Sequence, residues 1–199
     1  QIGRLDRRQA YIFMANHQSN IDIPVLVQAL TAFQLRWMAK RELLRVPIFG
    51  WALWASKHII VKRDRSKDVV SAMDSACEKL SRGISVVVFP EGTRSTDGRL
   101  LPFKRGGFRL AEKAGVPIVP VTLNGSGALM ARGDWRLKPG EVEVVVGDVI
   151  LPDPTDSRSR QQMSRVREAI GLPLAHRGAS SDFNHETWRT GGFPPQSEH

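Results

Sequence analysis

Ile84-Ser85-Val86-Val87-Val88-Phe89, followed at once by Pro90-Glu91-Gly92-Thr93-Arg94-Ser95, is the stretch whose reading decides the fold. The first six residues hold a single polar member and lack polar alternation, the pattern of a strand covered by helices on both faces. Such a strand belongs near the middle of a sheet. The Pro-Glu-Gly sequence then turns the chain into a loop. In an open α/β sheet a loop at a strand carboxyl end lies on the side where ligands usually bind.

Comparable apolar runs occur at 11–15, 35–39, 58–61, 118–123 and 142–146. Between them, 23–31, 66–81, 106–114 and 157–170 carry helical spacing. In 66–81, Val69, Val70, Met73, Ala76, Cys77 and Leu80 mark one face, and Gly83 follows closely enough to stop the helix. Strands alternating with helices over most of the length predict an α/β fold with a mixed, mainly parallel sheet flanked by helices. The 199 residues, 41% of them apolar, suit one domain, expected over 1–171. From about Leu172 the chain turns to Gly, Ser, Pro and polar residues with isolated aromatics, so 172–199 reads as a disordered or loosely attached tail.

Composition narrows the chemistry. Lys and Arg number 29 against 20 Asp and Glu, a formal charge of +9 that favours anionic partners such as nucleic acid, lipid headgroups or phosphorylated substrates. Cys77 is the only cysteine, so no disulfide framework forms within the chain, and a reducing compartment is the simpler expectation. The five histidines show no metal-ligand spacing, and metal-free chemistry is expected. No run of eighteen apolar residues is present. The chain begins at Gln1 rather than Met, which leaves room for an upstream membrane anchor.

A second motif, Asn16-His17-Gln18-Ser19-Asn20-Ile21-Asp22, follows the apolar run 11–15. On one continuous helix, His17 and Asp22 would splay by about 140 degrees, so they meet only across a turn, which Gln18-Ser19-Asn20 can supply. If they meet, Asp22 fixes the imidazole tautomer and leaves the other nitrogen as a base for a substrate hydroxyl. The alternative is that His17 caps the following helix and Asp22 pairs with its first-turn amides. Likewise, Glu91 and Arg94 either face a ligand or pair with each other and with nearby backbone.

With both motifs in view, the chain resembles the glycerolipid acyltransferase family typified by 1-acyl-glycerol-3-phosphate acyltransferase. Four ordered blocks carry the likeness over about 11–149: Asn16-His17 with Asp22, Ile59-Ile60-Val61-Lys62-Arg63, Phe89 to Ser95, and Val116-Pro117-Ile118-Val119-Pro120. Lys62 departs from the acidic or small residue expected before the arginine. The resemblance implies a glycerol-3-phosphate acyltransferase-like fold. It implies transfer of an acyl group from acyl-CoA or acyl carrier protein to 1-acyl-glycerol-3-phosphate, giving phosphatidic acid, without a cofactor. It assigns His17 as base and Asp22 as its orienting partner. Arg63 is implied to bind the acceptor phosphate, Glu91, Gly92 and Thr93 to hold the glycerol-phosphate part, and Arg94 to add charge. Phe103-Lys104-Arg105-Gly106-Gly107 also resembles a family segment, and Lys104 stands just before the helix at 106–114, where anions are favoured.

Other readings stay open. The acceptor could instead be glycerol-3-phosphate, another lysophospholipid or a lyso-ornithine lipid, and a covalent route through Ser19 competes with a capping role for that residue. A non-catalytic basic module would explain the charge and leave both motifs without a purpose; no nucleic-acid partner is expected. Residues 43–61, with Trp51 and Trp54 but broken by Arg45, Pro47 and Lys57, suit the headgroup layer of a membrane in part and, for most of their side chains, a core helix and strand. The resulting expectation is a membrane-associated enzyme at the cytoplasmic face.

Overall fold

A computed structural model describes residues 2–41, 55, 58–61, 66–134, 136–153, 159–175 and 186–189. Seven described strands form one sheet: β1 (Ile12–Ala15), β2 (Leu35–Lys40), β3 (Ile59–Val61), β4 (Ser85–Val88), β5 (Ile118–Asn124), β6 (Glu141–Val146) and β7 (Glu186–Arg189). Their order is β3-β2-β4-β1-β5-β6-β7. The first five in that order run parallel, whereas β6 and β7 are antiparallel additions. The helices are α1 (Asp22–Ala29), α2 (Ser66–Ser81), α3 (Gly106–Ala114), the single turn α4 (Ser126–Leu129) and α5 (Arg160–Ala175).

The sheet has an apolar layer on each face because alternate strand residues point opposite ways. Phe13, Val87, Val119, Val121 and Leu123 pack with Leu26 and Ala29 of α1 and with Leu30, Phe33 and Trp37. Ile12, Met14, Val86, Val88 and Ile118 face the other way, against Ala76 and Leu80 of α2, Phe108 and Ala111 of α3, and Val166 and Ile170 of α5. Every residue of β1, β4 and β5 is buried, as in strands covered by helices on both faces. In β6, Val142, Val144 and Val146 are buried between more exposed neighbours, the period-two pattern of a strand with one core face.

The expected strands and helices therefore recur with small shifts. β4 is interior, as its sequence requires, flanked by β2 and β1. Gly83 stops α2 with φ +78°, a left-handed conformation that glycine adopts without steric cost, while its amide donates to the Leu80 carbonyl at 3.0 Å. The helix expected at 157–170 starts at Arg160 and continues through Pro173 to Ala175. Two β5 side chains supply donors to its last turns: Thr122 Oγ1 to the Ile170 carbonyl at 3.0 Å and Asn124 Nδ2 to the Pro173 carbonyl at 3.3 Å. Of the segment 172–199, the first four residues belong to this helix and Glu186–Arg189 pairs with β6. The rest lies outside the described residues.

Because β1 and β4 are parallel neighbours, with Met14 beside Val88, the chain leaves both at the same edge of the sheet. The two signature loops are thereby brought side by side.

Candidate active site

His17 stands two residues beyond the end of β1, and the turn after it returns the chain to α1 with Asp22 in its first turn. His17 Nδ1 lies 2.7 Å from Asp22 Oδ2, with the carboxylate fully buried and the imidazole 16% exposed. A carboxylate accepts only, so Nδ1 carries the proton and Nε2 keeps its lone pair. The same Oδ2 accepts the amides of Gln18 at 2.7 Å and Ser19 at 2.8 Å. Three donors converge on one oxygen and fix the carboxylate under the imidazole.

Neither capping expectation survives these contacts. The residue before α1 is Ile21, without a side-chain cap, and the amides that Asp22 holds precede the helix. Ser19 is fully buried; its hydroxyl donates to the Met130 carbonyl at 2.6 Å and accepts the Ile21 amide at 3.3 Å. A nucleophile needs access that this hydroxyl lacks.

The loop after β4 grips His17 from the other side. Glu91 Oε1 accepts the His17 amide at 2.8 Å, and the Ser95 amide donates to the His17 carbonyl at 2.8 Å. Glu91 Oε2 accepts the Leu101 amide at 2.8 Å. Glu91 is 2% exposed, and burial pushes its carboxyl up, opposed by the two amide bonds. The Phe89 ring stacks on the imidazole, with centroids 3.9 Å apart and planes inclined by 12°. Gly92 turns the loop with φ +70°, and its amide donates to the Phe89 carbonyl at 3.0 Å.

Two further contacts knit the loops. Asn16, 1% exposed, pairs its side-chain amide with the backbone of Leu123, donating to the carbonyl at 2.9 Å and accepting the amide at 2.7 Å. Arg94 Nη1 donates to Asn20 Oδ1 at 2.8 Å, and Arg132 Nη1 donates to the Arg94 carbonyl at 3.2 Å.

His17 and Asp22 are thus brought into contact, with Glu91 against the His17 backbone and Gly92, Thr93 and Arg94 half-buried in the same loop. Exposed Lys104 precedes α3, its amide donating to the Pro90 carbonyl at 2.8 Å. Arg63, Lys62, Trp51 and Trp54 lie outside the described residues. The roles of Asn16, Asn20 and Phe89 were not assigned from sequence, although all three stand inside the quoted motifs. Arg132 carried no sequence signal. Among the described residues no cluster of histidine, cysteine or carboxylate side chains is arranged to hold a metal ion, and no helix is long and apolar enough to cross a membrane.

A histidine–carboxylate pair beside a basic loop thus lies at the strand carboxyl ends, the usual ligand side of an α/β sheet. The family model described as Acyltransferase matches residues 2–124, and the chain belongs to that family. It is 35% identical over 162 residues to the chloroplastic 1-acyl-sn-glycerol-3-phosphate acyltransferase BAT2 of Brassica napus, covering 81% of this chain and 46% of that protein. The Homo sapiens 1-acyl-sn-glycerol-3-phosphate acyltransferase alpha is 37% identical over 163 residues, covering 81% of this chain and 56% of that one. The crystal structure of the 1-acyl-sn-glycerophosphate acyltransferase PlsC from Thermotoga maritima matches with a TM-score of 0.75 at 30% identity, over 92% of this chain and 72% of the other. The chain spans about half the length of the curated relatives it matches.

Proposed function

We propose that this chain transfers a fatty acyl group from an acyl thioester to the free hydroxyl of 1-acyl-glycerol-3-phosphate, forming phosphatidic acid. The observation that carries the reading is the 2.7 Å contact between His17 Nδ1 and a buried Asp22 carboxylate, beside the basic loop that follows β4. Relatives whose names state this activity support the choice of acceptor.

His17 Nε2 takes the hydroxyl proton of the acceptor as its oxygen attacks the thioester carbonyl. The carbon–sulfur bond then breaks, and the departing thiolate takes the proton from the imidazolium. Asp22 holds the tautomer and offsets the transient positive charge. Ester and free thiol are the products, and the exchange requires no cofactor. Arg63, Gly92, Thr93, Arg94 and Lys104 receive the phosphate and glycerol parts of the acceptor. Arginine suits this task because its planar donors match phosphate oxygens in pairs.

The donor is acyl-CoA or acyl carrier protein. The enzyme works at a membrane surface, on its cytoplasmic face, where a charge of +9 favours anionic lipid and the aromatic and basic residues of 43–61 suit the headgroup layer. Incubation with labelled acyl donor and lysophosphatidate, wild type against H17A, tests the reaction. Labelled phosphatidic acid from wild type alone is expected; equal product from H17A would remove His17 as the base. A parallel panel with phosphate-free acceptors tests the anion site, since equal use of them would remove the role given to Arg63.

A further inference from the structure

Phe89 contributes the aromatic ring of the loop after β4, and hydrogen bonding gives it no part in the chemistry above. Its ring covers one face of the His17 imidazole at 3.9 Å, nearly parallel, and Trp37 stacks at 6.0 Å and 25° against Phe89. Trp37 is itself packed in the core layer with Phe13, Phe33 and Leu30. The imidazole is therefore backed by an aromatic column anchored in the sheet.

Asp22 holds the imidazole through one ring atom, and a ring held at one atom can still tilt about that bond. A flat partner in contact prevents the tilt. The face of a benzene ring also carries partial negative charge and attracts a cation. Neutral imidazole gains little from that field, but imidazolium gains as the proton arrives, so the interaction strengthens on the way to the transition state. Resting on the reading of His17 as the base, we propose that Phe89 is a positioning residue that fixes the plane of the imidazole and stabilises the imidazolium formed when it accepts the acceptor's proton. Two carboxylates also face His17, Asp22 from α1 and Glu91 from the loop after β4. Both remain when Phe89 is replaced, so the change isolates the ring.

The test compares wild type with F89L and F89Y in kcat, acceptor KM and the pH dependence of kcat/KM. F89L should lower kcat about tenfold or more and leave acceptor KM within about twofold. The acid limb should move about 0.5–1 pH unit toward lower pH, because an uncovered imidazole is harder to protonate. F89Y keeps the aromatic face and should restore both readings. An unmoved limb, or a raised KM with kcat preserved, overturns the proposal. If F89L does not fold, F89M carries the same readings with similar volume and no ring. Proton NMR of the unmutated chain provides a reading that needs no turnover: ring current should move the His17 Cε1–H signal upfield, and F89Y should retain that shift. An unshifted signal overturns the stack itself. A shifted signal in protein that transfers no acyl group instead overturns the reaction and, with it, the imidazolium role.

Discussion

The environment of His17 and the cationic rim beside it sit on the same edge of the sheet and are built in opposite ways. Around His17 the polar groups are buried and converge: Asp22 Oδ2 takes three donors, Glu91 holds two amides, and Asn16 pairs with the β5 backbone. Along the rim, Arg94 is half-buried, Arg132 is exposed, and their guanidinium groups reach loop oxygens. Buried directional bonds hold atoms to tenths of an ångström, which a proton transfer requires. Solvated cations on long side chains tolerate displacement, which binding of a mobile anionic headgroup requires. Under the proposed reaction, the first region governs catalytic rate and the second governs affinity.

Removing the His17 imidazole should break the first region most completely. H17A should lower kcat by about 10²–10⁴, with thermal melting showing a fold close to wild type because His17 stands in a loop outside the two core layers. Undiminished turnover would end the division of roles. D22N should follow, with kcat lower by about 10²–10⁴, because the amide can present the wrong hydrogen to Nδ1. It should also cost about 2 kcal/mol in urea unfolding, since one oxygen serves two backbone amides besides the imidazole.

E91Q sharpens the comparison, because the family resemblance assigns Glu91 to the acceptor while its contacts lie with the His17 and Leu101 amides. It should lower kcat about tenfold and change acceptor KM little; a KM effect without a kcat effect would return Glu91 to the acceptor. Its pH signature has a definite sign. Burial raises the folded carboxyl above its ordinary 4.5, so its stability contribution is complete below pH 4.5 and lost as pH rises through the folded value. The stability of wild type relative to E91Q should therefore grow as pH falls from 7 toward 4.5, measured by denaturant titration at each pH. A shrinking difference would mean that the amide bonds outweigh burial.

R94A should leave kcat within a few-fold and raise acceptor KM about three- to tenfold, an effect that fades with added salt as screening replaces the lost attraction. A loss confined to kcat would move Arg94 into the first region. The smallest effect is expected at the exposed Lys113–Asp74 pair between α3 and α2, where K113A should leave turnover and melting temperature unchanged.

Much of this was legible in the chain itself. The apolar run 84–89 predicted a central strand covered on both faces, and β4 is interior and buried throughout. The two signature loops were visible because turn residues abut apolar strands. The extension of α5 past Ile170 was not, because Thr122 and Asn124, which supply its last carbonyls with donors, lie about fifty positions away. The sequence left Glu91 open between a ligand and nearby backbone, because a charged residue in a loop carries no mark of the amides it will meet.

Local pattern alone determined the strand and helix types and the presence of a histidine and a carboxylate across a turn, since periodicity and turn chemistry act over a few residues. Only tertiary structure decided that β1 and β4 are parallel neighbours, and hence that Phe89 covers the imidazole and Glu91 holds its main chain from 74 positions away. Such contacts depend on strand order and register, which arise from packing the whole sheet and leave no trace in either loop.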